Sequence, residues 1–156
     1  MLKEGERAPE FTLPDDTGKD RSLTDFLRSG AGILYFYPGT FMPGSARQAC
    51  DLRDLHDELV GAKLSMTGIS PQSPASHAKF RARHRLPFTL LSDAHKEVIK
   101  MYGVNGPLGL GVRRATYLID GGRRIRDVVV ADFMIGRHLD FVRKAIMLRA
   151  AASVSR

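Results

Sequence analysis

The sequence predicts an α/β fold in which a mixed central sheet is covered by helices on both faces. Two observations carry this. Strand-like runs rich in β-branched and aromatic residues alternate with segments of helical period, and a hairpin signal, Asp120-Gly121-Gly122, joins two late strands just before a closing helix. At 156 residues with 43% hydrophobic content, the chain is long enough for one buried core and too short for two ordinary domains, so one domain over residues 1–156 is expected.

The elements follow in order. Ala8-Pro9-Glu10-Phe11-Thr12-Leu13-Pro14 alternates apolar and polar residues ahead of the turn residues Asp15-Asp16-Thr17-Gly18, which reads as a short edge strand and a turn. Ser22 or Thr24 can cap a helical turn through Leu27 that Gly30 ends. Ile33-Leu34-Tyr35-Phe36-Tyr37 has the density of a central strand, and Pro38 stops it. Ala49, Leu52, Leu55 and Leu59 recur at helical spacing, so one helix is expected from Ser45 to Gly61. A strand near Leu64–Ile69 leads into a polar helix around Ser76–Arg85. After Phe88-Thr89-Leu90-Leu91 comes a helix around Lys96–Tyr102, and then the Gly/Pro loop Asn105–Gly111. Strands at Ala115–Ile119 and Ile125–Val130 flank the hairpin turn. The last helix carries Leu139, Val142 and Ile146 on one face, with a frayed tail expected after Arg149. Together this is a thioredoxin-like plan.

Composition narrows the function classes. The chain has 24 Lys+Arg against 17 Asp+Glu, a net charge of +7, which favours anionic partners without speaking to fold. Its basic clusters, Lys79-Arg81-Arg83-Arg85, Arg113-Arg114 and Arg123-Arg124-Arg126, lack the aromatic interleaving of a single-strand binding groove, so they read as solvated faces rather than a nucleic-acid site. No apolar run approaches a membrane span and the start lacks a signal-peptide core, so neither membrane nor export is expected and the cytoplasm is the expected location. Cys50 is the single cysteine, which excludes an internal disulfide and an all-cysteine metal cluster. The histidines His56, His77, His84, His95 and His138 show no paired metal spacing and no cysteine or carboxylate partner cluster, and read as surface or edge residues. Neither cofactor nor metal is implied.

The informative stretch runs Tyr35-Phe36-Tyr37-Pro38-Gly39-Thr40-Phe41-Met42-Pro43-Gly44-Ser45-Ala46-Arg47-Gln48-Ala49-Cys50, a strand, a tight loop and a helix start. It resembles the peroxiredoxins of the AhpC/TSA type, and within them the Q-type or bacterioferritin-comigratory branch. That family carries a proline, a threonine four residues later and a peroxide-attacking cysteine three beyond it, usually with Pro-Gly between the last two. Pro38, Met42, Pro43, Gly44 and Ser45 fall on those five positions, and Cys50 falls where this branch often keeps a resolving cysteine. The similarity extends over Gly5–Leu13, Gly68-Ile69-Ser70 with His77 and Phe80, Leu86–Asp93, Tyr102-Gly103-Val104 and Arg114–Asp120, which is most of the chain.

The resemblance implies thioredoxin-dependent reduction of hydrogen peroxide and organic hydroperoxides. A thiol at a helix N-terminus beside an arginine is held as thiolate by the helix dipole and the guanidinium, and attack on peroxide leaves sulfenic acid on sulfur. By the same resemblance Arg114 is the arginine, a second cysteine condenses with the sulfenic acid, and thioredoxin or a small thiol is the reductant. Many relatives are monomers, so a monomer or weak homodimer is expected.

Ser45 brings no sulfur and Met42 no hydroxyl, while Thr40 lies two residues out of register. A serine hydroxyl stays protonated near neutral pH, and a helix dipole worth at most about 2 kcal/mol does not change that. The chain as written is therefore expected to be inactive or crippled as a peroxidase. Ser45-Ala46-Arg47-Gln48 also fits a Ser-x-x-Gln capping box, which reads Ser45 as a helix N-cap. Two accounts of the departures compete: a designed cysteine-to-serine exchange, and natural drift from catalysis, which the paired loss at 42 and 45 fits better. For Cys50, an inert structural thiol stands against a mixed disulfide with thioredoxin or another thiol, and for Arg114 a salt-bridge anchor stands against the catalytic role. The alternative to a peroxidase is a non-catalytic binding or regulatory module whose pocket around Arg114 holds an anion.

Overall fold

The computed structural model describes residues 1–154, with side chains through Ala152. Its centre is β3 (Gly32–Phe36), whose five residues are all buried, as the unbroken apolar run requires of a strand covered on both faces. β4 (Ser65–Ser70) pairs parallel to one edge of β3 with Tyr35 opposite Gly68. A Cβ at Gly68 would come within 2.5 Å of the Tyr35 ring, so this position has room only for glycine. β5 (Leu90–Ser92) continues the parallel side. β6 (Ala115–Ile119) pairs antiparallel to the other edge of β3, and β7 (Ile125–Val130) pairs antiparallel to β6. The order β5-β4-β3-β6-β7 is thus a mixed sheet.

Alternation along β3 divides the core. Leu34 and Phe36 face a cluster with Phe11, Leu23, Ile99 and Tyr102, which come from the first 27 residues and from α5 (Glu97–Met101) with its cap. Ile33, Tyr35 and Tyr37 face the opposite cluster. That second layer is built from α2 (Ser45–Arg53), α3 (His56–Gly61), α4 (Pro74–His84) and α6 (Gly136–Val154) through Leu52, Leu59, Phe80 and Val142. The thioredoxin-like arrangement, helices on both faces of a mixed sheet, is therefore the observed one.

Three elements differ from expectation. The first strand is only β1 (Thr12–Pro14) and lies outside the main sheet, pairing with β2 (Asp20–Ser22) ahead of α1 (Leu23–Phe26), which Ser22 caps. The helix from Ser45 is broken. Leu55 N–H donates to Leu52 O at 3.1 Å, a three-residue closure, and Arg53 is drawn out to Asp54 Oδ1 and His84 O. The apolar stripe stays in phase across this tightened turn, so periodicity could not reveal it. Finally, α6 continues to Val154 instead of ending near Arg149, whose Nε donates to Ala62 O. No helix among the described residues is long and apolar enough to cross a membrane.

Candidate active site

The site forms where the loop after β3 meets the first turn of α2. Pro38 follows the last residue held to the sheet, Tyr37, whose N–H donates to Ile69 O. The loop then turns at Gly44, which caps α2 with φ 85° and ψ −14°, a left-handed conformation that carries little cost only for glycine. A Cβ there would meet Ile135 at 3.1 Å. Because Gly44 takes the cap position, Ser45 is already inside the helix, 2% exposed.

Arg114, just ahead of β6, reaches across to this turn and is 3% exposed. Its Nη2 donates to Ser45 Oγ at 2.9 Å and to Pro43 O at 2.7 Å, and its Nη1 donates to Gln48 Oε1 at 2.8 Å. The capping box is therefore not formed. The buried guanidinium needs acceptors more than the helix needs a cap, and it recruits both side chains that the box would have used. The salt-bridge reading of Arg114 is likewise not observed, because the acceptors of its side chain are all neutral; Asp132 pairs with the side chain of Arg113 and takes from Arg114 only the backbone N–H. Burial pulls Arg114 below the ordinary guanidinium value, yet an arginine there stays charged. Burial also pushes the neighbouring Tyr35 and Tyr37 phenols up, so both are neutral. Gln48 Nε2 is buried and has no hydrogen-bond partner among the described residues. The result is a cation and a helix N-terminus at one hydroxyl, with an unspent buried amide donor on the residue that shares the cation, a set able to hold an oxygen-rich or anionic group.

The structure does not bring all the candidate residues together. Met42 lies on the rim, half exposed, with its carbonyl accepting from Ser45 N–H at 3.2 Å. Thr40 cannot take the place of the missing hydroxyl, because its Oγ1 turns to Gln72 and Ser76. Cys50 points elsewhere. Five helical positions from Ser45, it lies well round α2, with Sγ 3.7 Å from His84 Nδ1. His84 thus contacts the one cysteine as a pair, and no group of three or more metal-ligating side chains forms among the described residues. Two others are not surface residues: His77 is buried between Ser70 and Ser92, and His138 between Thr116 and Ala131 O. Gln48 and His84 were invisible as site residues from spacing alone, because both owe their roles to residues more than 30 positions away.

The sequence profile of the AhpC/TSA family matches residues 5–128. The chain belongs to that family. Within it, peroxiredoxin Bcp of Escherichia coli is 40% identical over 147 residues, covering 90% of this chain and 93% of the relative. Peroxidoxin BcpB of Mycobacterium tuberculosis superposes with a TM-score of 0.87 at 37% identity, over 97% of this chain and 98% of that one. A bacterioferritin comigratory protein of Xanthomonas campestris, whose alkyl peroxide reduction was followed through trapped-intermediate and ligand complexes, superposes at 0.81 with 25% identity, over 90% and 92% of the two chains. The peroxiredoxin branch is thus the Q or bacterioferritin-comigratory type.

Proposed function

We propose that the Ser45–Arg114 pocket is a Q-type peroxidase site without its nucleophile, which admits peroxide oxygens and does not reduce them. The observation that carries this is the 2.9 Å contact from Arg114 Nη2 to Ser45 Oγ in the first turn of α2, which puts a buried cation and a helix N-terminus on the atom at position 45. A thiolate there would attack one peroxide oxygen, break the O–O bond and become sulfenic acid, with water or an alcohol leaving. A hydroxyl has no such oxidation to undergo. In the peroxidase reading, thioredoxin or a small thiol is the reductant, Cys50 is the resolving position, and the chain works as a monomer or weak homodimer. With Cys50 directed at His84, resolution would require α2 to unwind.

Hydrogen peroxide consumption tests the proposal, with dithiothreitol or thioredoxin as reductant, for the parent, Ser45→Cys and Ser45→Cys/Met42→Thr. The expected result is turnover by the substituted chains and none by the parent. Turnover by the parent, or by none of the three, would sink it.

The unspent Gln48 Nε2 supports a second reading, a binding or regulatory module that holds a small oxyanion at Arg114 without chemistry. Calorimetric titration with sulfate distinguishes it: saturable binding lost in Arg114→Lys is expected, and no binding would remove it.

A further inference from the structure

Beside the Ser45 pocket, and lined by neither Ser45 nor Arg114, a cavity of about 340 Å³ opens between α2 and α4. That volume suits a small molecule. Phe41, Ala46 and Phe80 give it an apolar wall, and Lys79, Arg83 and His84 a basic one, with no acidic residue among its lining. Lys79 and Arg83 form no ion pair among the described residues, unlike Arg81 on the same helix, which is held by Asp16. Two exposed cations over an apolar floor favour an anionic ligand with apolar parts.

A nucleophile stands at the cavity's edge. Cys50 follows Ala46 by one helical turn on the same face of α2, is partly exposed, and has Sγ 3.7 Å from Nδ1 of the lining residue His84. The imidazole packs against Phe80, whose ring meets it edge-on with centroids 4.7 Å apart, and the backbone of His84 is held by its carbonyl accepting from Arg53 Nη1 at 2.8 Å. A thiol with a positioned base beside a cationic, apolar cavity is the arrangement needed for covalent exchange on a bound ligand.

We infer that this cavity receives an anionic small-molecule disulfide and that Cys50 exchanges onto it. His84 Nδ1 takes the thiol proton, the sulfur attacks the nearer sulfur of the ligand, the ligand's S–S bond breaks, and a new S–S bond joins Cys50 to one half. The other half leaves as a thiolate and takes the proton from His84, and a free thiol of the same class reverses the step. The site is independent of Ser45, so it stands or falls apart from the peroxidase reading.

The test uses the full chain with glutathione disulfide, which is anionic, hydroxyethyl disulfide, which is neutral, and cystamine, which is cationic, followed by intact-mass spectrometry. One half-disulfide per chain on Cys50 is expected, with rates falling in that order and the anionic reagent about tenfold faster than the neutral one. In Lys79→Glu/Arg83→Glu, both exposed positions, the order reverses. In His84→Asn the rate with the neutral reagent drops at pH 7 while the order among the three reagents is kept. Absence of an adduct, equal rates for the three reagents, or an order unchanged by the charge reversal would overturn the inference.

Discussion

Lowering the pH from 7.5 to 5.0 destabilises this chain through His77. The ring is 0% exposed, held by Ser70 Oγ at Nε2 and Ser92 Oγ at Nδ1, with no carboxylate hydrogen-bonded to it among the described residues. Burial pulls its pKa down from 6.5 to about 4, only slightly opposed by Asp16. The unfolded state therefore binds a proton that the folded state refuses, and the stability contributed by neutral His77 is complete above the unfolded pKa and lost as pH falls toward the folded one. Between pH 7.5 and 5.0 the two pKa values give a loss of about 2 kcal/mol. At a urea slope of roughly 2 kcal/mol/M the unfolding midpoint moves by about 1 M. Urea unfolding of the parent and of His77→Gln at both pH values isolates the effect, because every other titrating group, His138 included, is common to the two proteins. The parent should lose about 2 kcal/mol more than the variant over this range. Equal losses would show that His77 takes up its proton in the folded state as readily as in the unfolded one.

Three other outcomes are expected. Gly44→Ala forces an alanine into the left-handed cap and its Cβ against Ile135, at a cost of about 1–2 kcal/mol in thermal or urea unfolding. Burial pushes the Asp15 carboxyl up, but hydrogen bonds from Thr17 and Arg21 outweigh it and hold the pKa down at about 2, so this contribution is present above pH 3.8 and lost as pH falls toward 2. Asp15→Asn should accordingly cost about 1–2 kcal/mol at pH 7 and flatten acid unfolding below pH 4. In the Ser45→Cys background, Arg114→Lys replaces a fork that makes three bonds with a single ammonium, and peroxide reactivity measured by stopped flow should fall about a hundredfold.

The sheet was legible because its signals are local. Ile33–Tyr37 is a buried run, Ala115–Ile119 ends in a hairpin turn, and Leu139, Val142 and Ile146 keep a helical period wherever they pack. The loop after Tyr37 and the helix that starts at Ser45 were legible too, as a strand, tight loop and helix start. What the sequence hid depends on partners distant in the chain. Ser45 and Gln48 spell a capping box, but a guanidinium 66 residues from Gln48 outcompetes the backbone for both oxygens. His77 looks like any polar helix residue until Ser70 and Ser92 close around it. His84 joins Cys50 only because α4 packs on α2, and the turn at Leu55 breaks a helix without a glycine or proline to announce it.

The central claim is that position 45 sits in a peroxidase pocket that lacks its nucleophile and the hydroxyl at position 42 but keeps Arg114 and the helix N-terminus. Its most direct test is the second-order rate constant for thiol oxidation by hydrogen peroxide in Ser45→Cys/Cys50→Ala beside Cys50 in the parent, with substoichiometric peroxide and thiol counting by mass. The thiol introduced at 45 should be oxidised at least about a hundredfold faster than Cys50, as oriented donors at a reacting oxygen require. Rates within a few-fold of each other would contradict the claim.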